Sequence, residues 1–155
     1  MALEIERKFL VHKEFLPKLS DGKLIIQGYL SESPSVRFRV IGKEVVLGIK
    51  EYYPGGTRFE LETPRKEITA EEIEQLQKLA ISPPICKIRY TVGYESLIWE
   101  IDVYQGANLG LITVDVELPH PDYPIVFPEW VDEGKEITNN LAYSNINLGR
   151  HPFVK

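Results

Sequence analysis

The chain has a single cysteine, Cys86, in 155 residues. One thiol can form no internal disulfide, and a zinc site built on cysteines is excluded. A basic excess is also missing. The 18 Lys and Arg stand against 23 Asp and Glu, for a net charge of −5, opposite in sign to the usual nucleic-acid binder. No apolar run is long enough to span a bilayer. The opening "MALEIERKFLV" carries charges where a signal peptide needs an unbroken apolar stretch. Repeats, low-complexity stretches and linkers are absent, and His12, His120 and His151 are scattered and read as incidental. These absences leave the expectation of one soluble, cytoplasmic domain over residues 1–155, with no nucleic-acid or membrane partner. A hydrophobic content of 43% is enough for a sizeable core.

What the chain does have is alternation. Segments 3–11, 23–30, 35–41, 44–51, 57–63, 86–93, 96–104 and 111–118 alternate apolar with polar residues at the period of a strand. Turn residues separate them: Ser20-Asp21-Gly22, Ser33-Pro34, Gly42-Lys43, Pro54-Gly55-Gly56 and Gly93. Short connections imply antiparallel neighbours. Helical signals are fewer. Thr69 and Glu72 form a capping box at the head of 69–81, with Ile73, Leu76, Leu79 and Ala80 as its apolar stripe and Pro83-Pro84 as its stop. A second helix is expected within 136–149, from Thr138 to Gly149, and a short one near 13–19. Segment 119–134, with Pro119, Pro121, Pro124 and Pro128, reads as an irregular surface loop. The expected fold class is mainly β (α+β): eight antiparallel strands in a closed barrel or a two-sheet sandwich, with a few helices outside.

The polar phase of these strands is mostly charge. Glu4, Glu6 and Lys8 share a face; so do Arg37 and Arg39, Arg58 with Glu60 and Glu62, Lys87 and Arg89, Glu100 and Asp102, and Asp115 and Glu117. With Lys50 these faces hold seven cations and eight carboxylates. Periodicity alone does not say whether this is the wet outer side of a sheet or the lining of a barrel. Two features favour a lining. The signs are segregated: 3–11, 96–104 and 111–118 are mainly acidic, 35–41, 44–51 and 86–93 basic, and 57–63 mixed, whereas a surface tuned for solubility intersperses them. Four of the seven cations are arginine, suited to multi-donor contact with phosphate or carboxylate. Burying so many ions dry costs several kcal/mol each, so such an interior must be wet or filled by a ligand of matching charge. A basic wall holds an anion, and an acidic wall holds hard divalent cations that bridge to it. The implied ligand is a polyphosphate.

"EIERK" at 4–8 resembles the ExExK signature of the CYTH, or triphosphate tunnel, family. The resemblance continues through "RFR" at 37–39, the strand ending in Lys50, "RFELE" at 58–62, "KIRY" at 87–90, "WEID" at 99–102, "VDVELP" at 114–119 and "YSNINL" at 143–148. It implies an eight-stranded antiparallel tunnel with a charged interior, outer helices and, as in some members, a C-terminal helix plugging one end. It implies a metal-dependent triphosphatase using Mg²⁺ or Mn²⁺ on a small anionic substrate. Inorganic tripolyphosphate is the first expectation. Adenylate cyclase, or hydrolysis of thiamine triphosphate or a nucleotide, is the alternative, and a non-catalytic polyphosphate-binding module is a further one. On this resemblance Glu4, Glu6, Asp115 and Glu117 match metal-binding acids, and Lys8, Arg37, Arg39, Lys50, Arg58, Lys87 and Arg89 match substrate-binding cations. Glu4, Glu6, Lys8 and Glu117 are the expected catalytic set. Glu60, Glu62, Glu100 and Asp102 are supporting residues that either bind metal or orient the cations. Trp99 lies in the phase opposite the charges and is expected in packing. Tyr29 shares the phase of Gln27, open to either the lining or packing, and Cys86 is expected as a buried small residue.

Overall fold

Strict alternation commits each segment to extended backbone with one apolar and one polar face. The computed structural model describes residues 5–53 and 58–154, so Glu4, the Pro54-Gly55-Gly56 turn and the side chain of Arg58 lie outside the described residues. In chain order the strands are β1 (Glu6–Val11), β2 (Lys23–Glu32), β3 (Ser35–Ile41), β4 (Glu44–Tyr52), β5 (Arg58–Glu62), β6 (Lys66–Glu67), β7 (Ile85–Tyr94), β8 (Leu97–Tyr104), β9 (Ile112–Glu117) and β10 (Val131–Glu136). The helices are α1 (Ala70–Leu79) and α2 (Asn145–Arg150). The strands form one antiparallel sheet in the order β10-β1-β9-β8-β7-β2-β3-β4-β5, with β6 also on β4.

All eight expected strands are present, but they do not close into an eight-stranded barrel. Among the described residues no ladder joins β5 to β1; the sheet is open and ten-stranded. The free edge of β1 is taken instead by β10, through Leu10↔Asp132 and Val11↔Val131. Strand β10 overlaps the end of segment 119–134, expected as a loop, and runs past it into the region expected to hold the C-terminal helix. Its sequence, VDEGKE, buries only Val131, so it has no alternation to betray it. The same pairing displaces the C-terminal helix. The Ile137 N–H donates to the Lys8 carbonyl at 2.8 Å, which holds 136–137 to β1. A 3-10 turn at Leu141–Tyr143 follows, and α2 starts only after its N-cap, Ser144. Near residue 13 a single 3-10 turn, Lys13–Phe15, replaces the expected helix, because Leu16 is already extended.

Helix α1 begins as its capping box requires. The Glu72 N–H donates to Thr69 Oγ1 and the Thr69 N–H to Glu72 Oε1, both at 3.1 Å. It ends at Leu79, since Ala80 is extended and the Ile81 N–H turns to the Tyr29 carbonyl.

The main core lies on the outer side of β1, β9 and β8. Phe9, Trp99, Ile101, Val114 and Val116 are buried there, under Leu118, Trp130 and Val131. The irregular segment 119–130 is therefore the cover of this core rather than a loose loop. Trp130 meets Trp99 edge-on at 5.9 Å, and Phe127 meets Phe9 at 5.3 Å. Full burial of each such side chain stabilises by roughly 1.5–3 kcal/mol. Cys86, on the same outer side of β7, is only half-buried, which corrects the expectation of a buried residue. A smaller cluster of Ile85, Tyr104, Leu111 and Leu148 seats α2. Gly149 allows its close approach, for a Cβ there would fall 2.2 Å from the Pro83 carbonyl oxygen.

Candidate active site

Opposite the main core, the charged phases of the strands face one cleft of about 1160 Å³. The registers show why. Glu6 pairs with Glu117, Lys8 with Asp115, Glu100 with Asp115, and Arg89 with Asp102. Directly paired residues share a face, so the acidic strands β1, β9 and β8 form one contiguous wall. Strands β7, β2, β3 and β4 follow and carry the basic wall. The sheet curls until Glu6 and Lys8 from one end and Lys50, Glu60 and Glu62 from the other line the same space. The segregation of signs along the sequence thus becomes two adjoining walls.

Asp102 is the hub of the floor. It is fully buried and holds two cations: Lys87 Nζ at 2.9 Å, and Arg89 through Nε at 2.7 Å and Nη2 at 2.9 Å. Burial alone would raise its pKa, but the Lys87 charge and the Arg89 hydrogen bonds overcome this and hold the carboxyl well below its usual range. Arg89 gains more from Asp102, Glu100 and Asp115 than burial costs, and is driven upward. Lys87 pays the balance. Buried, and sharing with Arg89 its only close carboxylate among the described residues, it is lowered to about 8.

The basic wall is braced from β5. Glu62 Oε1 accepts from Arg37 at 3.1 Å and from Arg39 at 2.7 Å, reaching across β4. Gly48 on β4 leaves that crossing open; a Cβ there would stand 3.3 Å from Arg37 Nη2. Lys50 lies 3.5 Å from Glu60. Arg39 is lowered by burial and by the Arg37 charge, and its buried Nε has no hydrogen-bond partner among the described residues.

At the acidic end the donors are all carboxylate oxygens, the chemistry of a hard divalent cation. Glu6 and Glu117 stand directly opposite each other, an arrangement that is destabilising without a counter-charge. Asp115 is raised to about 6 by burial, with Glu6 and Asp102 adding to the shift against the Lys8 charge. Its Oδ1 is buried without a hydrogen bond among the described residues, 3.6 Å from Lys8 Nζ. These residues fit a cation, although among the described residues no three such donors already converge on one point.

Of the expected site residues, Glu6, Lys8, Arg37, Arg39, Lys50, Glu60, Glu62, Lys87, Arg89, Glu100 and Asp115 line the cleft. Glu117 is exposed at its rim, and Asp102 lies beneath the floor. Glu4 and the side chain of Arg58 lie outside the described residues. Tyr29 lines the cleft too, its hydroxyl accepting from Gln27 Nε2 at 3.0 Å. The sequence reading expected a C-terminal helix as a plug but named none of its residues, nor the turn before it, as lining. Thr138, Asn139, Asn140 and Tyr143 border the cleft, and Thr138 Oγ1 accepts from the Lys8 N–H. These residues sit in turns and carry no periodic signal.

A curled antiparallel sheet with a charged inner face is the architecture expected of the CYTH proteins. No protein-family model matches the chain. Over 155 residues it is 36% identical to an inorganic triphosphatase of Acetivibrio thermocellus, covering 99% of this chain and 97% of the relative. It is 32% identical to an inorganic triphosphatase of Nitrosomonas europaea, over 92% of this chain and 93% of that one. A crystal structure of an inorganic triphosphatase superposes with a TM-score of 0.68 at 28% identity, covering 96% of this chain and 95% of the other. The chain belongs to the CYTH, or triphosphate tunnel, family.

Proposed function

We propose that the chain is a metal-dependent triphosphatase that hydrolyses inorganic tripolyphosphate to pyrophosphate and orthophosphate. The observation that carries this reading is the juxtaposition in one cleft of the Lys8, Arg37, Arg39, Lys50, Lys87 and Arg89 cations with Glu6 and Asp115, Glu6 standing opposite Glu117 on the neighbouring strand. A pure binding module has no use for like charges set against each other.

In this mechanism the cations, with Arg58, hold the phosphate oxygens and neutralise charge, which is most of what phosphoryl transfer asks of a protein. Asp102 positions Lys87 and Arg89; Glu62 positions Arg37 and Arg39; Glu60 and Glu100 steady Lys50 and Arg89. The four supporting carboxylates thus act as orienting groups. Glu6, Asp115 and Glu117, together with Glu4, would hold Mg²⁺ or Mn²⁺, which supplies withdrawal of charge from the phosphate oxygens. Water forms a bond to the terminal phosphorus, the bond from that phosphorus to its bridging oxygen breaks, and pyrophosphate leaves. The C-terminal segment walls one side of the site, in the place of a plug. No described helix is long and apolar enough to cross a membrane, and we place the enzyme in the cytoplasm.

A second reading, an organic triphosphate as substrate, is favoured by the rim. Tyr52, Leu141 and Tyr143 line the cleft beside the charges and offer an apolar seat for a base or a thiamine ring.

Phosphate release from tripolyphosphate, ATP and thiamine triphosphate, each with Mg²⁺, Mn²⁺ or EDTA, tests both. Fast release from tripolyphosphate that EDTA abolishes, and that Glu6→Gln lowers by about 100-fold or more, is the expected result. Release from ATP or thiamine triphosphate alone would transfer the activity to the second reading, and no release from any of them would overturn both.

A further inference from the structure

The cleft is not the only cavity inside the curled sheet. A second one, of about 500 Å³, opens at the opposite end of the strands, around Lys23 on β2, Ile41 on β3, Val46 on β4 and the Thr63-Pro64-Arg65 turn. Four residues line both cavities: Arg39, Glu62, Arg89 and Glu100. They form a single layer, in which Arg39 pairs with Glu62 at 2.7 Å and Arg89 with Glu100 at 3.1 Å. Arg39 also feels the charges of Arg89 and Glu100 across the lumen. Two Arg–Glu pairs therefore separate a front chamber from a rear one.

In this layer Glu62 is held by Arg37 and Arg39, and Glu100 by Arg89, so the rear chamber's character is set by its other charges. Lys23 makes no ion pair among the described residues. Arg65 has, among the described residues, only Glu44, at 3.9 Å and half in solvent. Asp21 is the one further carboxylate in the lining. At roughly 30 Å³ per water, the chamber holds a small anion with its hydration shell. A phosphate arriving at the layer competes with Glu62 and Glu100 for the same guanidinium donors, which bind phosphate as readily as carboxylate.

We infer that the rear chamber is a second anion site, taking inorganic orthophosphate that has crossed the Arg39–Glu62 and Arg89–Glu100 layer, with Lys23 and Arg65 as its binding cations. The inference rests on the proposed triphosphatase reading for the source of the orthophosphate, but not for its binding. Orthophosphate held there inhibits without competing with tripolyphosphate for the front chamber.

The test uses the full chain, the double variant Lys23→Gln/Arg65→Gln, and Asp21→Asn. All three positions are exposed, and asparagine tolerates the left-handed backbone at 21, where φ is 59°. Orthophosphate is titrated by calorimetry and used as inhibitor of tripolyphosphate hydrolysis. The expected result is inhibition with a component that excess tripolyphosphate does not relieve. In the double variant that component weakens about tenfold, the value for losing two charge-assisted contacts, while KM for tripolyphosphate holds. In Asp21→Asn it strengthens. Purely competitive inhibition, with the same calorimetric affinity in all three proteins, would overturn the inference. If no substrate is hydrolysed, the functional reading fails by itself, and calorimetry decides the chamber: equal orthophosphate affinities overturn it, the ordered series supports it.

Discussion

The two walls of the cleft are built differently. The side made by β7 and β8, the latter backed by the main core, closes around Asp102, whose carboxylate is fully buried and holds Lys87 and Arg89 at 2.7–2.9 Å. The wall made by β3, β4 and β5 is wetter. Its brace, Glu62, leaves 43% of its side chain exposed. Behind it Phe59 and Leu61 are 39% and 52% exposed. One wall has its cations fixed before any ligand arrives. The other holds them through a carboxylate that water already reaches. A buried ion pair broken on one side strands a charge, whereas an exposed one only returns it to solvent.

Substitutions should separate the walls by size of effect. Asp102→Ala strips the buried Lys87 of its carboxylate and leaves Arg89 with Glu100 and Asp115 alone, and is expected to destabilise by about 3–5 kcal/mol, seen as a fall in the denaturation midpoint. A loss under about 1 kcal/mol would show that the hub is not the rigid element.

The next effect is a pH limb. Lys87 titrates near 8 in the folded chain, facing Asp102, Arg89 and Lys8, against 10.5 when free. Above pH 8 it loses its charge, so kcat/KM should fall. Stability should move the other way. Between pH 8 and 10.5 the unfolded chain binds the extra proton, so stability rises with pH across that window. Thermal melts and kinetics over the same pH series check both signs, and Lys87→Met should remove both trends.

Glu62→Gln belongs to the wetter wall. Its stability change should stay within about 1 kcal/mol, while KM for tripolyphosphate shifts severalfold as Arg37 and Arg39 lose their brace. A large loss of stability with KM unchanged would make the two walls alike. Smallest of all, Phe59→Ser on the exposed back of β5 should change stability by no more than about 0.5 kcal/mol and leave kinetics unaltered, measured by urea denaturation alongside the assay.

Much of this was legible in the chain. The eight strands, the capping box at Thr69, the place of Trp99 in packing and the two charged walls all follow from periods of two and 3.6, which side chains impose locally. Strand β10 was not legible, because its pairing with β1 rests on backbone groups rather than on alternating side chains. The cover formed by 119–130 was hidden for a related reason: Tyr123, Phe127 and Trp130 pack without a repeat. The starting point of α2 was hidden as well, since the Lys8 carbonyl, distant in sequence, holds Ile137 out of the helix.

Alone, the sequence determined which residues share a face and which sign each strand carries, because both depend on near neighbours along the chain. Tertiary structure decided which edge closes against which, that Asp102 is a hub rather than a ligand exposed to solvent, and that Arg39, Glu62, Arg89 and Glu100 meet in one layer. Those outcomes depend on how far the sheet curls and on which backbone hydrogen bonds win the edge of β1, and neither is written in the spacing of any one segment.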